Sequence, residues 1–107
     1  PVGAVTHKTH GLVCGILLPQ VLKWNYPVCS QKLDELAFYC GFSAGFELIA
    51  HVEYLLEKFN IDRSLKKHGL SESDLAWVVK NSRSGSMRAN PRDFSDEELT
   101  ALLMETL

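Results

Sequence analysis

Four histidines and three cysteines are the side chains in this 107-residue sequence whose chemistry extends beyond packing. His7 and His10 stand three apart, a spacing that on one helical face would bring both imidazoles to a single metal ion, although such a site normally takes three or four ligands. Spacing alone therefore favours solvated loop histidines for this pair. His51 follows Glu47 by one helical turn, which suits an exposed surface pair. His68, just before Gly69, fits the end of a short helix, where a partly positive ring meets the negative end of the dipole. Cys14, Cys29 and Cys40 contain no Cys-x-x-Cys pair and have no neighbouring base. They read as small apolar residues in a reducing, cytoplasmic setting, not as nucleophiles, a disulfide frame or a zinc ribbon. Trp24, Trp77 and Tyr54 read as packing residues. A glycine-rich phosphate loop, a His-Glu-x-x-His helix and a Gly-x-Ser-x-Gly elbow are all missing, so a free-standing enzyme is not expected.

The elements that must position these groups are helical. Apolar residues recur at helical spacing and alternating β-branched runs are almost absent, which predicts an all-α domain. A first helix is expected from His10 or Gly11 to Trp24. It is apolar nearly all round and therefore central, with a kink at Pro19 that Gly15 helps to accommodate. Trp24-Asn25-Tyr26-Pro27 should end it, because the residue before a proline is steered away from helical angles. Leu33, Leu36, Ala37 and Cys40 predict a second helix stopped at Gly41. A third carries the stripe Leu48, Val52, Leu55, Leu56 and Phe59. Ser71 with Asp74, and Ser95 with Glu98, predict capped starts for two more helices. Asn81 to Phe94 lacks helical periodicity and is expected to be the most substantial loop.

Composition narrows the function classes. Hydrophobic residues make up 46% of the chain and charged ones 22%, with net charge −2, which describes one ordinary folded domain. The slight acidity argues against nucleic acid, whose phosphates reward a basic face. The longest apolar run, Leu12 to Pro19, falls far short of the roughly 20 residues that a membrane-spanning helix needs. No repeat or composition shift marks a second domain within 1–107.

The opening stretch, Pro1-Val2-Gly3-Ala4 through Thr9-His10-Gly11-Leu12-Val13-Cys14 to Leu17-Leu18-Pro19-Gln20-Val21 and Asn25, resembles the metal-site segment of iron-dependent alcohol dehydrogenases. In that family the segment reads Pro-(Leu/Val)-Gly-Ala, a short loop, His-Gly, and a helix ending Leu-Leu-Pro. Asn60-Ile61-Asp62 with Leu65, Gly69-Leu70 and the Ser71 helix is compatible with the same pattern. Ser84-Gly85-Ser86-Met87 and Asn90-Pro91-Arg92 before an acidic-capped helix resemble its closing part. Dehydroquinate synthase and glycerol dehydrogenase share the fold but match less well, since their His-Gly is usually followed by Glu and lacks Leu-Leu-Pro.

The resemblance implies that residues 1–107 form the C-terminal helical part of a larger two-domain enzyme, whose N-terminal part binds the nicotinamide cofactor, NAD or NADP. It also implies a divalent metal, iron or zinc, held by one aspartate and three histidines. His10 matches the last of those histidines, while the other ligands and the family's candidate catalytic histidine would lie upstream. Cys14 and Ile16 are then expected in the core of the central helix. Ser86 and Met87 are expected near the pocket for a small alcohol or aldehyde, and Asn90 and Pro91 are expected to set the turn into the last helix. By itself the chain is expected neither to retain iron nor to oxidise alcohol, and to self-associate through a face that would otherwise be covered. The competing reading is a stand-alone helical interaction module that has kept the fold without the chemistry.

Overall fold

A 30-residue helical stretch kinked at Cys29, α2 (His10–Tyr39), is the spine of the molecule. In the computed structural model, which describes residues 1–107, it is preceded by the short α1 (Val2–Thr6) and followed by α3 (Gly45–Lys58). A 3-10 turn (Glu72–Asp74), α4 (Leu75–Lys80), α5 (Gly85–Arg88) and α6 (Asp96–Met104) complete the chain, with no strand. The all-α architecture is therefore the one that the helical spacing predicts.

Helix α3 folds back antiparallel on α2. Gly45 at its start lies against Leu33 and Tyr26, while Leu56 near its end lies over Gly15. Its buried residues are Gly45, Ile49 and Leu56, which places the seam at Ile49 and leaves Phe59 exposed, a rotation away from the stripe expected from sequence. The other face of α2 meets the main core. There Val13 and Ile16 pack with Val2 of α1, Leu65 and Leu70 of the connector, Val78 of α4 and Leu102 of α6, among others.

Two expectations for α2 need correction. Pro19 is fully buried among residues that keep helical angles, and the non-helical kink lies at Cys29 instead. The boundary expected at Trp24–Pro27 falls at Cys29 (φ −139°, ψ 29°), a kink two residues beyond Pro27 that separates two helical segments, so the two expected helices are present with their junction slightly later. Pro27 cannot donate to the helical ladder, and its ring crowds the carbonyl of Lys23. Near this fault, side chains serve two carbonyls: Arg92 Nη1 donates to Trp24 O at 2.8 Å, and Cys29 Sγ donates to Asn25 O at 3.1 Å. The Cys29 bond spans the kink, while Arg92 satisfies a carbonyl of the first segment.

Helix ends follow local chemistry closely. After α2, Gly41 takes φ 88°, with Phe42 N donating to Ala37 O and Gly41 N to Phe38 O, the paired closure favoured by a left-handed residue. Asn60, at φ 58°, closes α3 in the same way through Ile61 N to Leu56 O. Ser95 Oγ accepts from Glu98 N at 3.1 Å, and Ser95 N donates to Glu98 Oε1 at 3.2 Å. Ser71 forms the return half of such a box, its amide and hydroxyl both donating to Asp74 Oδ2 at 2.9 and 2.7 Å, and the turn it starts is 3-10 before it becomes α4. His68 ends no helix. It lies in a turn, with its Nε2 2.8 Å from Asp62 O. Two short helices escape the periodicity: α1, and α5 inside the expected 81–94 loop.

Candidate functional site

Where α1, the first turns of α2, the loop around α5 and the inner face of α6 meet, they enclose an open cleft of about 720 Å³. That volume falls within the range of small-molecule sites, roughly 300 to 1,000 Å³. Fourteen of its 22 lining residues are hydrophobic, so the few polar groups along it stand out. They include Lys8, His10, Ser84, Ser86 and Asn90.

His10 is the first residue of α2 and is exposed. Thr9 before it is extended (φ −63°, ψ 148°) and gives no side-chain cap. His7 does not join it. It lies beyond the end of α1 in the left-handed conformation (φ 57°), so the three-residue spacing is not a spacing on one helical face. The partner on His10's own face is Cys14, one turn on, with its Sγ 3.4 Å from His10 Nε2. Cys14 is exposed, contrary to the core position expected for it, whereas Ile16 is buried as expected. The helical rotation of about 100° per residue explains the split, since it brings i+4 back under His10 and carries i+6 round to the core. No group of three or more histidine, cysteine or acidic side chains converges anywhere in the chain.

Ser86 and Met87 line the same cleft from α5, with Met87 half-buried against the core. Their segment is pinned at both ends. Upstream, Arg83 donates to Phe94 O at 2.7 Å and pairs with Asp96 at 2.6 Å. Downstream, Asn90 bonds the carboxamide of Asn25 and the carbonyl of Arg92. Arg92 in turn lies over the rings of Trp24 and Phe94, 5.2 and 5.3 Å from their centroids, and pairs with Glu98. The Ser95 amide first, and then the Arg92 guanidinium, hold the Glu98 carboxyl below its ordinary range. Trp24 therefore packs, as its sequence context suggests. Trp77 and Tyr54 are both half-exposed instead.

The remaining candidates lie elsewhere. His51 makes no pair with Glu47. It stacks against Phe42 and Tyr54, at 5.2 and 5.7 Å between centroids, and Glu47 accepts from Ser43 N. Cys40 caps α2, away from the cleft lining. Of the groups not anticipated from sequence, Cys14 carried a usable signal in its i+4 spacing from His10. Lys8 carried none, because its place on the cleft depends on how α1 docks. No helix is long and apolar enough to cross a membrane.

Compared with known proteins, residues 1–107 match the model of the Fe-containing alcohol dehydrogenase family, C-terminal. The chain is 29% identical over 103 residues to the probable alcohol dehydrogenase EutG of Escherichia coli (strain K12), covering 94% of this chain and 26% of that protein. It is 23% identical over 112 residues to a 1,3-propanediol dehydrogenase of Klebsiella pneumoniae, covering 96% of this chain and 29% of that protein. The chain thus spans little more than a quarter of the length of either relative. No solved structure matches it.

Proposed function

The chain belongs to the Fe-containing alcohol dehydrogenase family, and from that premise we propose that it forms the C-terminal helical part of an NAD(P)-dependent enzyme that moves hydride between a small alcohol or aldehyde and the nicotinamide ring. The observation that carries the reading is the position of His10, at the N-terminus of α2 and open to the apolar cleft that Ser86 and Met87 also line.

The donor chemistry of the cleft fits one corner of a metal site. It offers an accessible imidazole nitrogen but no cluster of three ligands. In this reading His10 holds a divalent metal, iron or zinc, together with an aspartate and two histidines that lie upstream of residues 1–107. When bound, that metal supplies Lewis acidity, lowering the proton affinity of an alcohol oxygen. The chain's own residues do the rest of the positioning. The apolar walls from Val13, Leu17 and Leu102 exclude water and accept the alkyl part of the substrate, while Ser86 and Met87 border the opening. The pinning of the α5 segment by Arg83 and Asn90 keeps that border fixed. Three free thiols suit the reducing conditions of the cytoplasm.

The test is hydride transfer by the polypeptide encoded by the whole reading frame, loaded with iron or zinc and followed by nicotinamide absorbance on short alcohols. Replacing His10→Ala should lower turnover by about 100-fold or more, the upper end of what losing a group outside the metal shell costs. Undiminished turnover would remove the reading. Exposed aromatic side chains at Phe38, Tyr39 and Phe46 favour the alternative of an interaction module, for which the same polypeptide would show no hydride transfer at all.

A further inference from the structure

We propose that Gly3, by carrying no side chain, positions His10, so that residue 3 sets the geometry of the metal site without touching the metal. The inference rests on the reading of His10 just given and adds a residue that acts on it through the backbone. Gly3 lies in α1, and only His7, Lys8 and Thr9 separate that helix from His10 at the start of α2. A Cβ added at Gly3 would stand 3.2 Å from the carbonyl oxygen of Lys8, inside ordinary van der Waals contact. The gap admits a hydrogen atom, but a methyl group only if something moves.

Burial decides which side moves. Val2 is part of the main core, and Thr6, also buried, donates to Val2 O at 2.8 Å, so α1 is held on both sides of Gly3. His7 to His10 are all exposed. Crowding at residue 3 is therefore relieved by an outward shift of the Lys8 carbonyl. The linker has little slack to absorb that shift. His7 is left-handed, Lys8 N donates to Thr6 Oγ1 at 3.4 Å, and Thr9 is extended, with its carbonyl accepting from Val13 N at 3.2 Å. The displacement passes to His10, two residues on, and a metal-binding constellation tolerates only about 0.5 Å of error.

The polypeptide encoded by the whole reading frame provides the test, with zinc affinity measured by competition against a chelator and melting followed without metal. Gly3→Ala should bind zinc about tenfold or more weakly. Its metal-free melting temperature should stay within about 4 °C of wild type, because alanine suits a helix better than glycine and offsets the crowding. Gly3→Ser, which places the same atom there, should weaken zinc binding alike. Gly3 also lines the cleft, so KM for an alcohol with zinc in excess separates positioning from obstruction, and it should not change. Unchanged zinc affinity in Gly3→Ala, or a raised KM with affinity intact, would overturn the positioning role while leaving that of His10 standing. Collapse of the metal-free fold would overturn it as well, by placing the strain in the core. Zinc affinity indifferent to His10→Ala would overturn both readings.

Discussion

The carboxamides of Asn25 and Asn90, 65 residues apart in the chain, face each other as a reciprocal pair in which each Nδ2 donates to the other's Oδ1 at 2.8 Å. Asn25 is only 6% exposed, so this pair fastens the loop bordering the cleft to the middle of α2. Asn90→Ala should therefore leave a buried amide without its partner and cost about 1 to 3 kcal/mol. Urea unfolding measures this, and a loss below about 0.5 kcal/mol, as for an ordinary surface change, would contradict the clasp.

Gly45→Ala should be destabilising by about 1 to 3 kcal/mol, as overpacking of a tight contact usually is. A Cβ there would lie 2.7 Å from Tyr26 Cε2 and 3.1 Å from both Asp34 Oδ1 and Leu33 Cβ. Gly11→Ala is the control. It lies within α2 with nothing within 4 Å of an added Cβ, and it should leave stability unchanged or raise it by up to about 1 kcal/mol. Equal thermal shifts for the two variants would refute the packing account of α2 on α3.

Asp34 joins the start of α3 to α2 by accepting from Gly45 N at 2.7 Å and from the Tyr26 hydroxyl at 2.8 Å. The Gly45 amide first, and then Tyr26, hold its carboxyl below the ordinary range, and Glu98 is lowered likewise. A group with a depressed folded pKa stabilises above its unfolded value, near 4, and loses that contribution as pH falls through the folded value. Melting temperature should therefore be flat above about pH 5 and fall on acidification through and below pH 4. Asp34→Asn should flatten that fall. A profile indistinguishable from wild type would show that the contact contributes nothing.

Phe38, Tyr39, Phe46 and Phe59 are each exposed by 64% or more, a large aromatic surface for a chain of this size. Light scattering should report concentration-dependent association that Phe38→Ser with Phe46→Ser reduces. A monomer at every concentration would count against it.

Features governed by near neighbours were legible from sequence. Ser95 with Glu98 and Gly41 after Cys40 act within one turn, so their residue types announce them. The place of the α2 kink was not, because the non-helical residue is Cys29, two residues beyond Pro27, next to carbonyls served by its own thiol and by Arg92 from the C-terminal half. Helices α1 and α5 have five and four residues, too few to display a period. In the cleft, His10, Ser86 and Met87 were singled out through family likeness, since nothing local brings residues more than 70 apart to one wall. Cys14 was misplaced because its apolar neighbours outweighed its i+4 relation to His10.

The most direct measurement of the site is the set of imidazole proton resonances of His7, His10, His51 and His68 while zinc is added to the polypeptide encoded by the whole reading frame. His10 should shift saturably to a fixed endpoint, with the other three changing far less. Zinc uptake that leaves His10 unmoved, or that shifts His51 or His68 first, would contradict its place as the metal donor of the cleft.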